Sequence, residues 1–109
     1  MTTTVSSDII RRYFELAPAA DTDAYFAQFA TDAVVVDEGK TRRGIDEIRA
    51  WRTEVPPVRY GVRSIAAVGS GHDAVAEISG DFPGSPVDLR FRFEIDDEGL
   101  IRGLVIGNP

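Results

Sequence analysis

Two carboxylates, Asp37 and Glu38, stand directly after three valines, Val34 to Val36. Ala33 to Val36 prefers a strand, Gly39 turns the chain and Lys40 to Arg43 returns it. An acid at a strand end is held rigidly and still meets a ligand. The apolar neighbours of Asp37 disfavour its charged form, an effect that raises a carboxylate's pKa toward values useful for a base. The same two acids also suit the plainer task of solvating a hairpin turn. Tyr13 is the second group able to do chemistry. It falls on the apolar side of a helical pattern, where a phenol needs a partner for its hydroxyl, and a backbone carbonyl would serve. Phe14, Phe26, Phe29, Trp51, Tyr60, Phe91 and Phe93 can wall an apolar pocket for a ligand, and aromatic residues at such spacings equally build a core.

The elements that position these residues follow from periodicity. Ser6 or Ser7 caps a first helix with Asp8 in its first turn, and Ile9, Ile10, Tyr13, Phe14 and Ala17 form its apolar face. Pro18 ends it. Asp21 or Thr22 caps a shorter helix carrying Tyr25, Phe26, Phe29 and Ala30, which Thr31-Asp32 terminates. A third helix spans Ile45 to Glu54, with Gly44 as N-cap, Asp46 and Glu47 at its positive end, and Ile45, Ile48 and Trp51 on one side. Val55-Pro56-Pro57 is a stiff connector.

Beyond the prolines the pattern alternates. Strands are expected over 58–68, 73–81, 87–96 and 100–106. Val58, Tyr60, Val62, Ser64, Ala66 and Val68 share one face of the first, with a bulge at Gly61. Gly69-Ser70-Gly71, Phe82-Pro83-Gly84-Ser85 and Asp97-Glu98-Gly99 are turns. Val87, Leu89, Phe91, Phe93 and Ile95 face inward, and Asp88, Arg90, Arg92 and Glu94 face outward. Helices followed by a strand meander specify an α+β class. A long, bent antiparallel sheet curls over the helices and encloses a cone-shaped cavity. There are no internal repeats or linkers, so residues 1–109 form a single domain.

Composition narrows the function. A chain of 109 residues with 43% hydrophobic and 28% charged residues suits one soluble globular domain. A net charge of −6 disfavours a nucleic-acid partner, because phosphate neutralisation needs a basic face. No apolar run is long enough for a membrane helix, and no secretory signal opens the chain. The absence of cysteine removes disulfides and thiolate metal sites, and the single histidine, His72, removes a His-rich cluster. No metal or cofactor is expected, and a cytoplasmic location fits.

The order of helix, helix, strand hairpin, helix and strand meander resembles the nuclear transport factor 2-like superfamily. That superfamily includes ketosteroid isomerase and the SnoaL-like polyketide cyclases. The resemblance rests on R-Y-F-E-L at Arg12 to Leu16, F-A-T-D-A-V-V-V-D at Phe29 to Asp37, R-G-I-D-E-I-R-A-W at Arg43 to Trp51 and D-D-E-G-L-I at Asp96 to Ile101. It implies a cone of three N-terminal helices packed on a curved antiparallel sheet. Asp37 matches the general-base aspartate of ketosteroid isomerase, and Tyr13 its oxyanion-hole tyrosine. The position of that family's protonated aspartate falls at Phe91, so the second oxyanion donor is lacking. Losing one such donor typically costs about 2.7–4 kcal/mol of transition-state stabilisation, which argues against a proficient steroid isomerase.

Three functions fit these residues. In the first, an enzyme uses Asp37 as base and Tyr13 as hydrogen-bond donor to a small apolar carbonyl compound. In the second, a non-catalytic module uses the same cone to bind a hydrophobic ligand. In the third, the outer sheet face bearing Asp88, Arg90, Arg92 and Glu94 joins two copies into a homodimer, which is compatible with either of the others.

Overall fold

The computed structural model describes residues 2–18, 22–55, 57–69 and 71–109, and along 2–7 the course of the backbone alone. Asp21, Pro56 and Ser70, expected at a cap, a connector and a turn, fall outside the described residues. The elements follow in the order α1 (Thr2–Leu16), α2 (Thr22–Ala27), β1 (Phe29–Asp37), β2 (Lys40–Arg43), α3 (Ile45–Glu54), β3 (Val58–Val68), β4 (Gly71–Gly80), β5 (Val87–Ile95) and β6 (Ile101–Gly107). The result is a mixed α+β architecture with one curved, unclosed six-stranded sheet in the order β2-β1-β6-β5-β4-β3.

Four seams of the sheet are antiparallel, and β1 runs parallel to β6 with Val35 opposite Leu104 and Asp37 opposite Ile106. The N-terminal hairpin is thereby joined to the last strand of the meander. Helix α1 starts at Thr2, so Ser6 and Ser7 lie inside it rather than at its cap. Phe29 and Ala30 belong to β1 and not to the second helix. The Gln28 carbonyl accepts a 2.8 Å hydrogen bond from the amide of Ile101, which draws the chain into the sheet one residue after α2 ends.

The bulge in β3 also lies elsewhere than expected. Val62 pairs with Ala76 and Ser64 with Val75, so Arg63 is the extra residue, two positions beyond Gly61. The insertion reverses the strand's parity. Ile65 turns inward and half-buried, whereas Ser64, Ala66 and Val68 are exposed. A bulge of this kind also blunts β3 as a sheet edge.

The core lies between α1 and the concave face of the sheet. Ile10, Tyr13 and Phe14 of α1, with Ala17 just after it, meet Phe91 and Phe93 of β5, with Ala74 and Ala76 of β4 leaving room for the rings. Tyr13 packs edge-on to Phe93 with centroids 5.2 Å apart, and Phe14 edge-on to Phe91 at 5.0 Å. No helix of the described residues is long and apolar enough to cross a membrane.

Candidate active site

The β1–β2 hairpin presents Asp37. Glu38 and Gly39 both take positive φ, 53° and 77°, which gives the two-residue turn whose twist suits a hairpin. Asp37 pairs with Lys40 across that turn and with Ile106 on the other side, so three strands fix its backbone. Helix α3 then fixes its side chain: the Trp51 indole Nε1 donates to Asp37 Oδ2 at 3.0 Å. The indole is itself 4% exposed, so a well-packed ring holds the carboxylate. Trp51 therefore both packs and positions.

The placement of Trp51 depends on the start of α3. Gly44 sits at φ 84°, ψ 160° and makes no side-chain cap. Its carbonyl accepts from the Ile48 amide at 3.0 Å, and Glu47 reaches back to accept from the Arg43 amide at 2.8 Å. Glu47 thus does the work of a capping carboxylate.

Helix α1 supplies the second group. Tyr13 is 1% exposed, and its hydroxyl lies 3.0 Å from that of Tyr25 on α2. The partner is a second phenol, not a backbone carbonyl. Burial, then the neighbouring Tyr25, holds the Tyr13 phenol well above its ordinary value of 10.0, and burial likewise raises Tyr25. Both remain protonated at neutral pH. Two hydroxyls share one hydrogen bond, so the pair keeps one proton with which to donate elsewhere.

Asp37, Tyr13, Trp51, Tyr60 and Phe91 border one cavity of about 470 Å³ between α1, α3 and the concave sheet. Val58, Ile78, Val87, Leu89 and Ile106 supply apolar wall, and Phe82 and Pro83 approach from the β4–β5 turn. Gly84 at φ 85° and the Ser85 amide donating to the Phe82 carbonyl at 3.3 Å give that turn type II form. Phe14, Phe29 and Phe93 do not border this cavity. They are core residues, locked by ring contacts with Tyr13 at 5.2, 6.3 and 5.2 Å. Phe26 lines a neighbouring recess of about 330 Å³ together with Leu16, Tyr25 and Arg52. A groove of about 550 Å³ near Pro57 and Gly80 contains none of the candidate residues.

The cavity rim is more charged than its aromatic signal suggests. Lys40, Arg42 and Arg52 border it, as do Glu38 and Glu54. Arg42 Nη2 donates to Glu54 Oε1 at 3.0 Å. The signal for Lys40 and Arg42 is hairpin register: once Asp37 opposes Lys40, residues 40 and 42 share its face. Arg52 gives no such signal, because an arginine in the last turn of a helix is already accounted for by the helix dipole. Among the described residues no group of three or more His, Asp or Glu side chains is arranged to hold a metal. The arrangement offers a fixed carboxylate, the protonated Tyr13 phenol backed by Tyr25 and an apolar wall around one space, which suits proton transfer at carbon next to a carbonyl.

The model of the SnoaL-like domain family matches residues 10–103. The fold superposes on the crystal structure of a protein from Sinorhizobium meliloti assigned as a polyketide cyclase, with TM-score 0.83 and 37% identity over 91% of this chain and 93% of that one. It also superposes on an NTF2-like protein of unknown function from Cytophaga hutchinsonii, with TM-score 0.77 and 12% identity over 93% and 87% of the two chains. No curated protein sequence matches the chain.

Proposed function

The chain belongs to the SnoaL-like domain family of the NTF2-like superfamily, and from that premise we propose that it is an isomerase- or cyclase-like enzyme acting on a small apolar carbonyl compound. The observation that carries this reading is the convergence of Asp37 and Tyr13, from different elements, on one cavity with an apolar wall. Asp37 takes the proton from carbon α to the carbonyl. The C–H electron pair moves into the new C=C bond, and the carbonyl π pair moves to oxygen. The Tyr13–Tyr25 pair donates its remaining proton in a hydrogen bond to that oxygen. In a β,γ-unsaturated ketone the dienolate takes the proton back from Asp37 at its γ carbon, which completes an isomerisation; alternatively the enolate carbon attacks a second carbonyl, whose oxygen takes the proton back from Asp37, which completes a ring closure. Phe91 contributes no hydrogen bond, so the site is weaker than one with two oxyanion donors.

The Trp51–Asp37 bond supports a second reading, since an acid held by an indole also serves as a fixed acceptor for a bound ligand. In that reading the cavity is a non-catalytic hydrophobic binding module. Asp37→Asn separates the two, because it keeps the shape and removes the base. For an enzyme, turnover across a panel of small enones and aromatic ketones disappears in Asp37→Asn while ligand binding stays nearly intact. Tyr13→Phe slows turnover less, because water can replace the lost donor. Turnover that survives in Asp37→Asn, or is absent from the wild type across the panel, leaves the binding module.

A further inference from the structure

Arg52 is a cavity charge for which the proton transfer has no use. It stands in the last turn of α3 and borders both the main cavity and the smaller recess beside it. Its Nη2 donates to the Ala17 carbonyl at 2.9 Å, and its side chain also interacts with the Tyr60 hydroxyl. Its guanidinium carbon lies 4.5 Å from the centre of the Tyr25 ring and 5.4 Å from that of Trp51. None of these partners is negatively charged at neutral pH. The other half-buried arginines do have carboxylates: Arg42 pairs with Glu54 at 3.0 Å, and Arg92 with Asp73 at 3.6 Å. Among the described residues no carboxylate lies within ion-pairing distance of Arg52.

A guanidinium drawn partly out of water without an anion is unfavourable unless something completes it. We infer that Arg52 anchors a carboxylate on the molecule bound in the cavity, so that the ligands are small aromatic or alicyclic keto acids rather than neutral ketones. Five N–H donors in a planar fork match a carboxylate in two parallel bonds, and the Ala17 and Tyr60 contacts leave donors for it. The ligand's apolar body then lies along Val58, Leu89 and Phe91, and the Trp51 indole, which touches both Arg52 and Asp37, separates the bound anion from the base. Across the rim Lys40, Arg42 and Arg52 balance Asp37, Glu38 and Glu54, so the preference for an anion is local to Arg52 and not a long-range field. The inference rests on the acid–base reading only for which end of the ligand reacts.

The test compares 4-ethylbenzoate with the isosteric neutral 4-ethylbenzamide by calorimetry and by the fluorescence of Trp51, the sole tryptophan. Wild type and Asp37→Asn should both bind the benzoate at least about tenfold more tightly, in line with one charge-assisted fork. Arg52→Gln should lose the preference and keep benzamide binding. Arg52→Lys, which keeps charge without the fork, should retain only a few-fold preference, and Arg59→Gln on the exposed surface should change nothing. Equal affinity for the two probes in wild type overturns the inference, and needs no variant to fold. A preference that persists in folded Arg52→Gln also overturns it. Failure of the acid–base reading has a different signature: turnover indifferent to Asp37→Asn with the benzoate preference intact.

Discussion

The indole of Trp51 engages one carboxylate oxygen of Asp37 at 3.0 Å and leaves the carboxylate's other acceptor sites for a substrate proton. Hydrogen bonds to charged groups contribute about 1.5–3 kcal/mol. Trp51→Phe should therefore lower kcat about tenfold or more while KM changes little, because the ring wall survives and only the aim of the base is lost. Steady-state kinetics of the folded variant checks this, and an equal rise in KM would assign Trp51 to ligand contact instead. The tyrosine pair makes a prediction in pH. Both phenols titrate above their ordinary value in the folded protein, burial being the first cause. Above about pH 10 the unfolded chain releases these protons while the folded one holds them. Stability is thus fully present below pH 10 and falls as pH rises beyond it. Urea unfolding at pH 8 and pH 11 should show this loss, and Tyr25→Phe should reduce it while costing about 1–3 kcal/mol at pH 8 through the unpartnered Tyr13 hydroxyl. Asp37 and Tyr13 were legible as candidates because each follows from local pattern, a β-run ending in acids and a helical face. Their partners were not. Trp51 lies 14 residues from Asp37 and Tyr25 lies 12 from Tyr13, and no periodicity links such pairs.

Helix α3 carries both Trp51 and Arg52, so its starting point decides where the site's support falls. Gly44 opens it at φ 84°, a conformation other residues adopt only with strain, although a methyl there would meet nothing closer than the Thr31 carbonyl at 3.8 Å. Gly44→Ala should then destabilise by about 1–3 kcal/mol through the backbone alone. Thermal unfolding should show a drop of several degrees, roughly 4–8 °C per kcal/mol for a domain near this size. An unchanged melting temperature would mean that the helix start relaxes freely. The helix itself was readable from Gly44 to Glu54, because cap, acidic first turn and apolar spacing agree. The second helix and β3 were less so. Phe29 and Ala30 continue a helical face, yet pairing with β6 takes them into the sheet. At β3 the glycine was the sole local cue to a bulge, and register against β4 puts the bulge at Arg63 instead. Propensity yields to pairing in both places.

Across the whole molecule, charge is unevenly spread. On the convex sheet face Arg63 bonds Glu77 and Asp88, each at 2.9 Å, Arg90 and Arg92 both pair with Asp73, and Arg102 reaches Glu94 at 3.4 Å. Four arginines and four carboxylates of this face are thus ion-paired among the described residues, while the chain as a whole carries −6. We propose that two copies associate through it, since it is where a second acidic molecule approaches with least repulsion. Val105, 48% exposed among these ion pairs, is the place to break the contact. Sedimentation should show a dimer at tens of micromolar, roughly the range of weak association, and a monomer for Val105→Glu. A monomeric wild type at that concentration counts against the interface. Alternation made this face visible in the sequence, but not the parallel β1–β6 seam that joins the chain's two ends, because nothing local specifies a pairing so distant. In the proposed reaction Asp37 removes a proton from carbon beside a carbonyl. Proton–deuterium exchange at that carbon, followed by NMR in D₂O, reads this step directly and needs no knowledge of the final product. Wild type should catalyse exchange into a keto acid or aromatic ketone of the size the cavity admits, and Asp37→Asn should fall to the rate of buffer alone. Equal exchange by the two proteins would contradict the account.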